Sequence, residues 1–343
     1  MTEISVKDIN GFRIGQAEDT QAATGCTVVL CPSGAAAGLD VRGGGPASRE
    51  SQLLSPLANA EFIHAVVIAG GSAFGLDAAG GVQKYLEERG IGYDVGVAKV
   101  PLVCQADLFD LTVGRADIRP DAAMAFRACE NADSRQQDGS IGNYRDGCFG
   151  AGTGATAGKI RGMERCTKTG MGSYAVRTGG LEVGAIVALN ALGDIFDWKS
   201  GRQIAGLVSE DGKGFDDSTR CLLEISSPKD NKFTDEGAAG TAFTSNTTLA
   251  VILTNARLSK ARLCKVAGMA QDGMARAVKP VHTSADGDSV FALSTGTVDA
   301  DTDLVGCLAA DVLSEAIKRA VFAAKSCYGF KAACDICKKG ATP

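Results

Sequence analysis

The chain has 343 residues, 45% of them hydrophobic and 22% charged, so it can bury a large core in one extended domain or two ordinary ones. Its net charge of −5 comes with no basic run, which argues against a nucleic-acid or anionic-membrane surface and for small molecules or peptides as partners. No window holds eighteen uninterrupted apolar residues, and the N-terminus has no basic start leading into an apolar core, so a cytoplasmic protein is expected.

In chain order, TVVLC (27 to 31) and HAVVIAG (64 to 70) read as strands, followed by a helix from about 74 to 88. A second strand-rich block holds LEVGAIVALN (181 to 190) and LAVILTN (249 to 255). Helices then run from about 259 to 278 and from about 303 to 324, with the strand SVFALSTG (289 to 296) between them. Interleaved strands and helices predict an α/β layered protein.

Glycine is abundant, with 44 residues, and it clusters at GGG (43 to 45), GG (70 and 71) and GAGTGATAGK (150 to 159). There the backbone bends sharply or approaches something closely. No fixed-period repeat links these clusters. Residues 226 to 246 are polar, rich in Gly, Ser and Thr, and predict a long loop that ends at Asn246-Thr247-Thr248, where an apolar strand begins.

Several motifs fall short of the chemistry they suggest. VVIAGGSAFGLDAA puts Ser72 on a strand-turn-helix, but Phe74 occupies the position where a nucleophile elbow needs glycine, and nothing favours His64 or His282 as its base. The amides of Gly70, Gly71 and Ser72 are instead expected to hold a carboxylate or an oxyanion at a helix N-terminus. The segment ending at Lys159 has Thr153 where a phosphate loop needs its first glycine and Ile160 where it needs a hydroxyl. Asp286 and Asp288 form an ordinary Asp-Gly-Asp turn, or a carboxylate pair that orients a hydroxyl or an ammonium. Among the twelve cysteines, Cys334 and Cys337 have metal or redox spacing, with Cys327 seven residues earlier. Without a second pair or a histidine cluster they are expected to be reduced thiols holding no metal.

Taken together, GFRIGQAEDTQAATGCTVVLCPSGAAAGLDVRGGGPASRE, GGSAFGLDAA, GAGTGATAGK, VGAIVALNALGD, NTTLAVILTNA and PVHTSADGDSVFALSTG resemble, in order, the P1 family peptidases. These are the DmpA-type β-aminopeptidases or L-aminopeptidase/D-esterases (family S58), and the nylon-oligomer hydrolase branch is the better match. The resemblance implies a four-layer αββα sandwich of the N-terminal-nucleophile-like type shared with ornithine acetyltransferases. It implies one chain cut between Asn246 and Thr247 into fragments 1 to 246 and 247 to 343. Thr247 is then the nucleophile, and Lys159, Asn190, Asp286 and Asp288 are its catalytic neighbours. Gly70, Gly71, Ser72 and Phe126 are expected at the substrate. Phe126 stands where many relatives carry a tyrosine, so that hydroxyl is absent. A homo-oligomer, a tetramer in the family, is implied, with no cofactor.

The chemistry is coherent with these residues. Attack by the Thr247 hydroxyl on the Asn246 carbonyl, followed by water, frees an α-amino group that serves as base to the hydroxyl beside it. Asn190 is a candidate oxyanion donor, and Lys159 a candidate charge that lowers the pKa of the nucleophile. The predicted substrates are small peptides, N-terminal residue amides or ω-amino-acid oligomers. The alternatives are an acyltransferase of the ornithine acetyltransferase type, or an uncleaved ligand-binding relative.

Overall fold

The computed structural model describes residues 1–137, 139–225 and 246–336. The expected loop therefore lies outside the described residues except for Asn246, and so does Cys337. Ten strands form the principal sheet system: β1 (Thr2–Ile4), β2 (Arg13–Asp19), β3 (Thr24–Val41), β4 (Ala47–Arg49), β5 (Ile63–Ala69), β6 (Val103–Asp107), β7 (Met171–Thr178), β8 (Leu181–Ala188), β9 (Leu249–Ala256) and β10 (Ser289–Val298). They are hydrogen-bonded in the order β1-β7-β8-β9-β10-β3-β5-β6-β4, with β2 also on β3.

β3 joins two layers. Its first half pairs with β2 and β5, its last six residues pair with β10, and the register shifts between Leu30 and Ala35. A bulge of this kind bends a strand and increases its twist, which lets one strand serve two sheets.

The side-chain alternation of the strands, period two, builds three cores. Val29, Val66, Ile68, Ile186, Val251 and Phe291 meet between the two sheets. The opposite side chains of the β8–β10 sheet, among them Val187, Ile252 and Val290, pack against α4 (Lys260–Ala277) and α5 (Thr302–Phe322). Val28, Leu30 and Val67 pack against α1 (Ala78–Glu87) and α2 (Ala122–Asp133). The layer order is helix, sheet, sheet, helix, as the sandwich expectation requires. A short helix, α3 (Ser218–Ile225), lies outside these layers.

This arrangement explains why the strands read as continuous apolar runs instead of alternating ones: each face of β9 touches a core. Every residue of β9 is buried, and each fully buried Val, Leu or Ile side chain stabilises the fold by about 1.5–3 kcal/mol. Close layers need small residues. At Gly38 a Cβ would stand 2.2 Å from the Cys264 amide of α4, so only hydrogen fits between sheet and helix. Two of the helices, α2 and α5, start at acidic caps: Asp121 accepts from the Met124 amide at 2.8 Å, and Asp301 from the amides of Asp303 and Leu304.

Candidate active site

Strand direction brings the site together. β9 and β10 are parallel, with Leu249 opposite Ser289, so the segments before them, 246–248 and 286–288, emerge at one edge. β8 is antiparallel to β9 and pairs Ala188 with Leu249, so Asn190 leaves its end at that same edge. β3 is antiparallel to β10 and pairs Val41 with Ser289, which brings Arg42–Gly45 there too.

Backbone hydrogen bonds lock these strand ends. The Ser289 amide donates to Thr248 O at 3.2 Å, the Arg42 amide to Asp288 O at 3.0 Å, and the Gly45 amide to Asp286 O at 2.9 Å. The glycine-rich segment arrives from the side: the amides of Gly158 and Lys159 donate to the carbonyls of Gly193 and Leu192 at 3.1 and 3.0 Å.

Asn190 is the hub. Its carbonyl accepts from the Thr247 amide at 2.8 Å and from Lys159 Nζ at 3.1 Å. Its Oδ1 accepts from Lys159 Nζ at 2.6 Å and from the Thr156 amide at 3.1 Å, and its Nδ2 donates to Phe109 O at 3.0 Å. Lys159, which the motif alone would leave on the surface, is 2% exposed.

The Thr247 hydroxyl donates to the carbonyl of Asn246, the residue just before it. Gly287 faces that hydroxyl so closely that a Cβ there would stand 2.6 Å from Oγ1. The carboxylates on either side of Gly287 hold backbone. Asp288 Oδ1 accepts from the Thr248 amide at 2.8 Å, while its Oδ2 accepts from the His282 amide at 3.1 Å and lies 2.8 Å from His282 Nδ1. Asp286 Oδ2 accepts from the Thr283 amide at 3.0 Å and its hydroxyl at 2.5 Å, and Oδ1 from the Leu192 amide at 3.4 Å.

Burial dominates the electrostatics. Loss of hydration pulls the Lys159 ammonium down from 10.5 to about 7, against the upward pull of nearby Asp286 and Asp110. Burial, then the neighbouring Asp288 carboxylate, pushes Asp286 up to about 6. Asp110, buried beside the Thr24 hydroxyl and the Gly71 amide, is likewise pushed up to about 6. Near neutrality this pocket sits at the boundary between charge states, where proton transfer is easiest to drive.

Thr247, Asn246, Lys159, Asn190, Asp286 and Asp288 thus converge. Gly70, Gly71 and Ser72 do not behave as expected. Their amides donate inside the protein, to Gly25 O at 2.9 Å, Asp110 Oδ1 at 2.7 Å and Leu108 O at 2.9 Å, so only Gly71 holds a carboxylate, and it is the protein's own. Phe126 also lies elsewhere: its ring packs edge-on against Tyr85, centroids 5.3 Å apart, among the side chains of α1 and α2. His64 is tied into its sheet by the Leu102 amide at 3.1 Å. Among the described residues no group of three or more His, Cys, Asp or Glu could hold a metal, and no helix is long and apolar enough to cross a membrane.

Sequence reasoning missed Gly287, His282 as a partner of Asp288, Asp110 and the carbonyl of Phe109. Only the first had a usable signal, a glycine between two acids.

The sequence pattern of peptidase family S58 matches residues 5–334. An uncharacterized aminopeptidase of Mycobacterium leprae (strain TN) is 36% identical, over 97% of this chain and 94% of that protein. A 6-aminohexanoate-oligomer endohydrolase of Agromyces sp. (strain KY5R) is 32% identical, over 86% of this chain and 76% of its own length. Among solved structures, the L-aminopeptidase D-Ala-esterase/amidase of Ochrobactrum anthropi, described as a variant of the Ntn hydrolase fold, superposes with a TM-score of 0.66. It shares 18% identity, over 94% of this chain and 88% of that one. A Burkholderia sp. β-aminopeptidase superposes with a TM-score of 0.61 at 18% identity, over 93% and 86%.

Proposed function

We propose, from the premise that the chain belongs to peptidase family S58 and is an amide-bond hydrolase, that Thr247 is its nucleophile and becomes available through self-cleavage after Asn246. The observation that carries this reading is the Thr247 hydroxyl bonded to the Asn246 carbonyl, at the start of a strand whose every residue is buried. A hydroxyl held against the preceding carbonyl by a rigid strand is poised for an N-to-O acyl shift.

In that step Oγ1 bonds to the Asn246 carbonyl carbon, the C–N bond breaks, and the hydroxyl proton passes to the departing Thr247 nitrogen. Water then hydrolyses the ester, leaving a carboxylate on Asn246 and a free amine and hydroxyl on Thr247. An α-amino group titrates near ~7.7, so it can accept the hydroxyl proton as Thr247 attacks a substrate amide. The leaving amine takes the proton, and water releases the acyl group.

Asn190 orients both Thr247 and Lys159 through one carbonyl, which brings the Lys159 ammonium and the Thr247 amide to a shared acceptor. Asp288 fixes the Thr248 amide, one residue after Thr247, and Asp286 accepts from the Leu192 amide, two residues after Asn190. The relatives' names support aminopeptidase or ω-amino-acid oligomer hydrolysis, and small peptides, residue amides and such oligomers are the substrates to assay. Intact-mass measurement of the purified protein tests the reading. Fragments matching 1 to 246 and 247 to 343 are expected, and a new N-terminus at Thr248 or elsewhere would refute it.

A further inference from the structure

Outside this site, among the described residues, one cluster combines a nucleophilic side chain, a partner for it and a buried cation. Cys148 follows Gly147, whose backbone pairs with Met171, and Cys327 follows α5 in a tight turn closed by Phe330. The two sulfurs lie 3.8 Å apart, with the Cys327 S–H directed at Cys148. Both residues are partly exposed, so a small oxidant can reach them.

Beneath them Lys168 is fully buried, and its ammonium is held by three neutral carbonyls, those of Gly152, Ala155 and Thr169, at 3.3, 2.9 and 2.7 Å. Burial disfavours that cation and the two cysteine sulfurs support it. In return the Cys327 S–H, then Lys168, hold the Cys148 thiol below its ordinary range. Cys26, Cys31, Cys104 and Cys129 stand in contrast: burial pushes all four thiols up, where they are inert.

We propose that Cys148 and Cys327 form a modification site, a thiol pair that closes to a disulfide on meeting a small disulfide such as oxidised glutathione. The Cys148 thiolate attacks one glutathione sulfur, forming a mixed disulfide and expelling a glutathione thiolate. Cys327 then loses its proton to that thiolate or to solvent and attacks the Cys148 sulfur, expelling the second glutathione. Two protein thiols are oxidised and one glutathione disulfide is reduced to two thiols. The sulfurs need to close by roughly 1.8 Å to reach bonding distance, within reach of side-chain rotation in a partly exposed pair. Resting on the processing reading above, this bond would run from the large fragment to the small one and hold them together covalently.

The test incubates the whole protein with oxidised and reduced glutathione at rising ratios, traps free thiols by alkylation and maps the digest without reduction. A Cys148–Cys327 linked peptide, lighter by two hydrogens, is expected before any other cysteine is modified. Cys327→Ser should instead collect one glutathione at Cys148, and Cys148→Ser should yield neither product. Lys168→Met should slow the first step by at least about tenfold, since thiolate character sets the rate; if that variant fails to fold, the two serine variants still decide. Modification of Cys148 no faster than of exposed Cys307, or no glutathione on Cys148 in Cys327→Ser, overturns the proposal. On a non-reducing denaturing gel a processed, oxidised sample should run at full length and split on reduction. A chain that never processes is recognised by its single mass after reduction, and the peptide map still reads the disulfide.

Discussion

Replacing Gly287 by Ala probes the site with a single methyl group. The added carbon would stand 2.6 Å from Thr247 Oγ1, 3.0 Å from Gly45 O and 3.3 Å from the Pro46 Cα. The last two are backbone atoms, and Gly45 is itself held to Asp286. The hydroxyl is the atom that can yield. Reaching an ordinary contact near ~3.5 Å requires Oγ1 to move by about 0.9 Å. A displacement of about 1 Å at a reacting group costs on the order of 100-fold in rate. Stability should fall by no more than about 1–3 kcal/mol, the usual cost of overpacking by a methyl. The assay follows the fraction processed over time by intact mass, alongside the melting temperature and turnover of a small amide. A folded Gly287→Ala protein that matures and turns over at the wild-type rate would show that the hydroxyl does not work from the position it occupies beside Gly287.

Thr247→Ala should give one folded full-length chain, read by intact mass; any fragment near 247 to 343 would point to another nucleophile. Lys159→Met should slow self-cleavage markedly while the melting temperature stays level or rises. Titration at about 7 instead of 10.5 places the burial cost on the order of 5 kcal/mol as an upper bound, and losing the donor to Asn190 offsets about 1–3 kcal/mol of that relief. Because Asp286 ionises at about 6 and Lys159 discharges at about 7, processing that uses both charges should peak between those values, and a rate still climbing at pH 9 would contradict it. Asp110 titrates at about 6 when folded and 3.8 when unfolded, so the stability it contributes is complete below 3.8 and is lost as pH rises through about 6. Asp110→Asn should therefore gain melting temperature relative to wild type between pH 4 and pH 7, and a flat difference would refute the shift.

Strands and helices were legible wherever one period dominated. LAVILTN, read as a strand of 249 to 255, is β9 almost residue for residue, because burial on both faces writes a continuous apolar run. The 18 residues of β3 were not, since Pro32, Ser33 and Gly34 carry a turn signature that the structure uses as a bulge. At the site, Thr247, Lys159, Asn190 and the two aspartates were reached by resemblance and not by pattern. Lys159 follows small residues that say nothing of burial, and Asn190, which accepts from its ammonium, lies 31 residues away. The misreading of Gly70, Gly71 and Ser72 has the same root. Whether a helix-terminal amide is open depends on a distant acceptor, here Asp110, 39 residues from Gly71.

The position of β9 bears on how the protein could be taken apart. The strand lies between β8 and β10 with a core on each face, and α4, β10 and α5 all follow it in the chain. Cutting before Thr247 would remove one covalent bond and none of these contacts, so the two pieces would stay interleaved, each supplying half of a shared interior. Such a molecule folds as one body and unfolds as two. Its refolding would become a bimolecular search that slows on dilution, and heating a dilute sample would unfold it for good, even though the uncut Thr247→Ala chain would regain its fold.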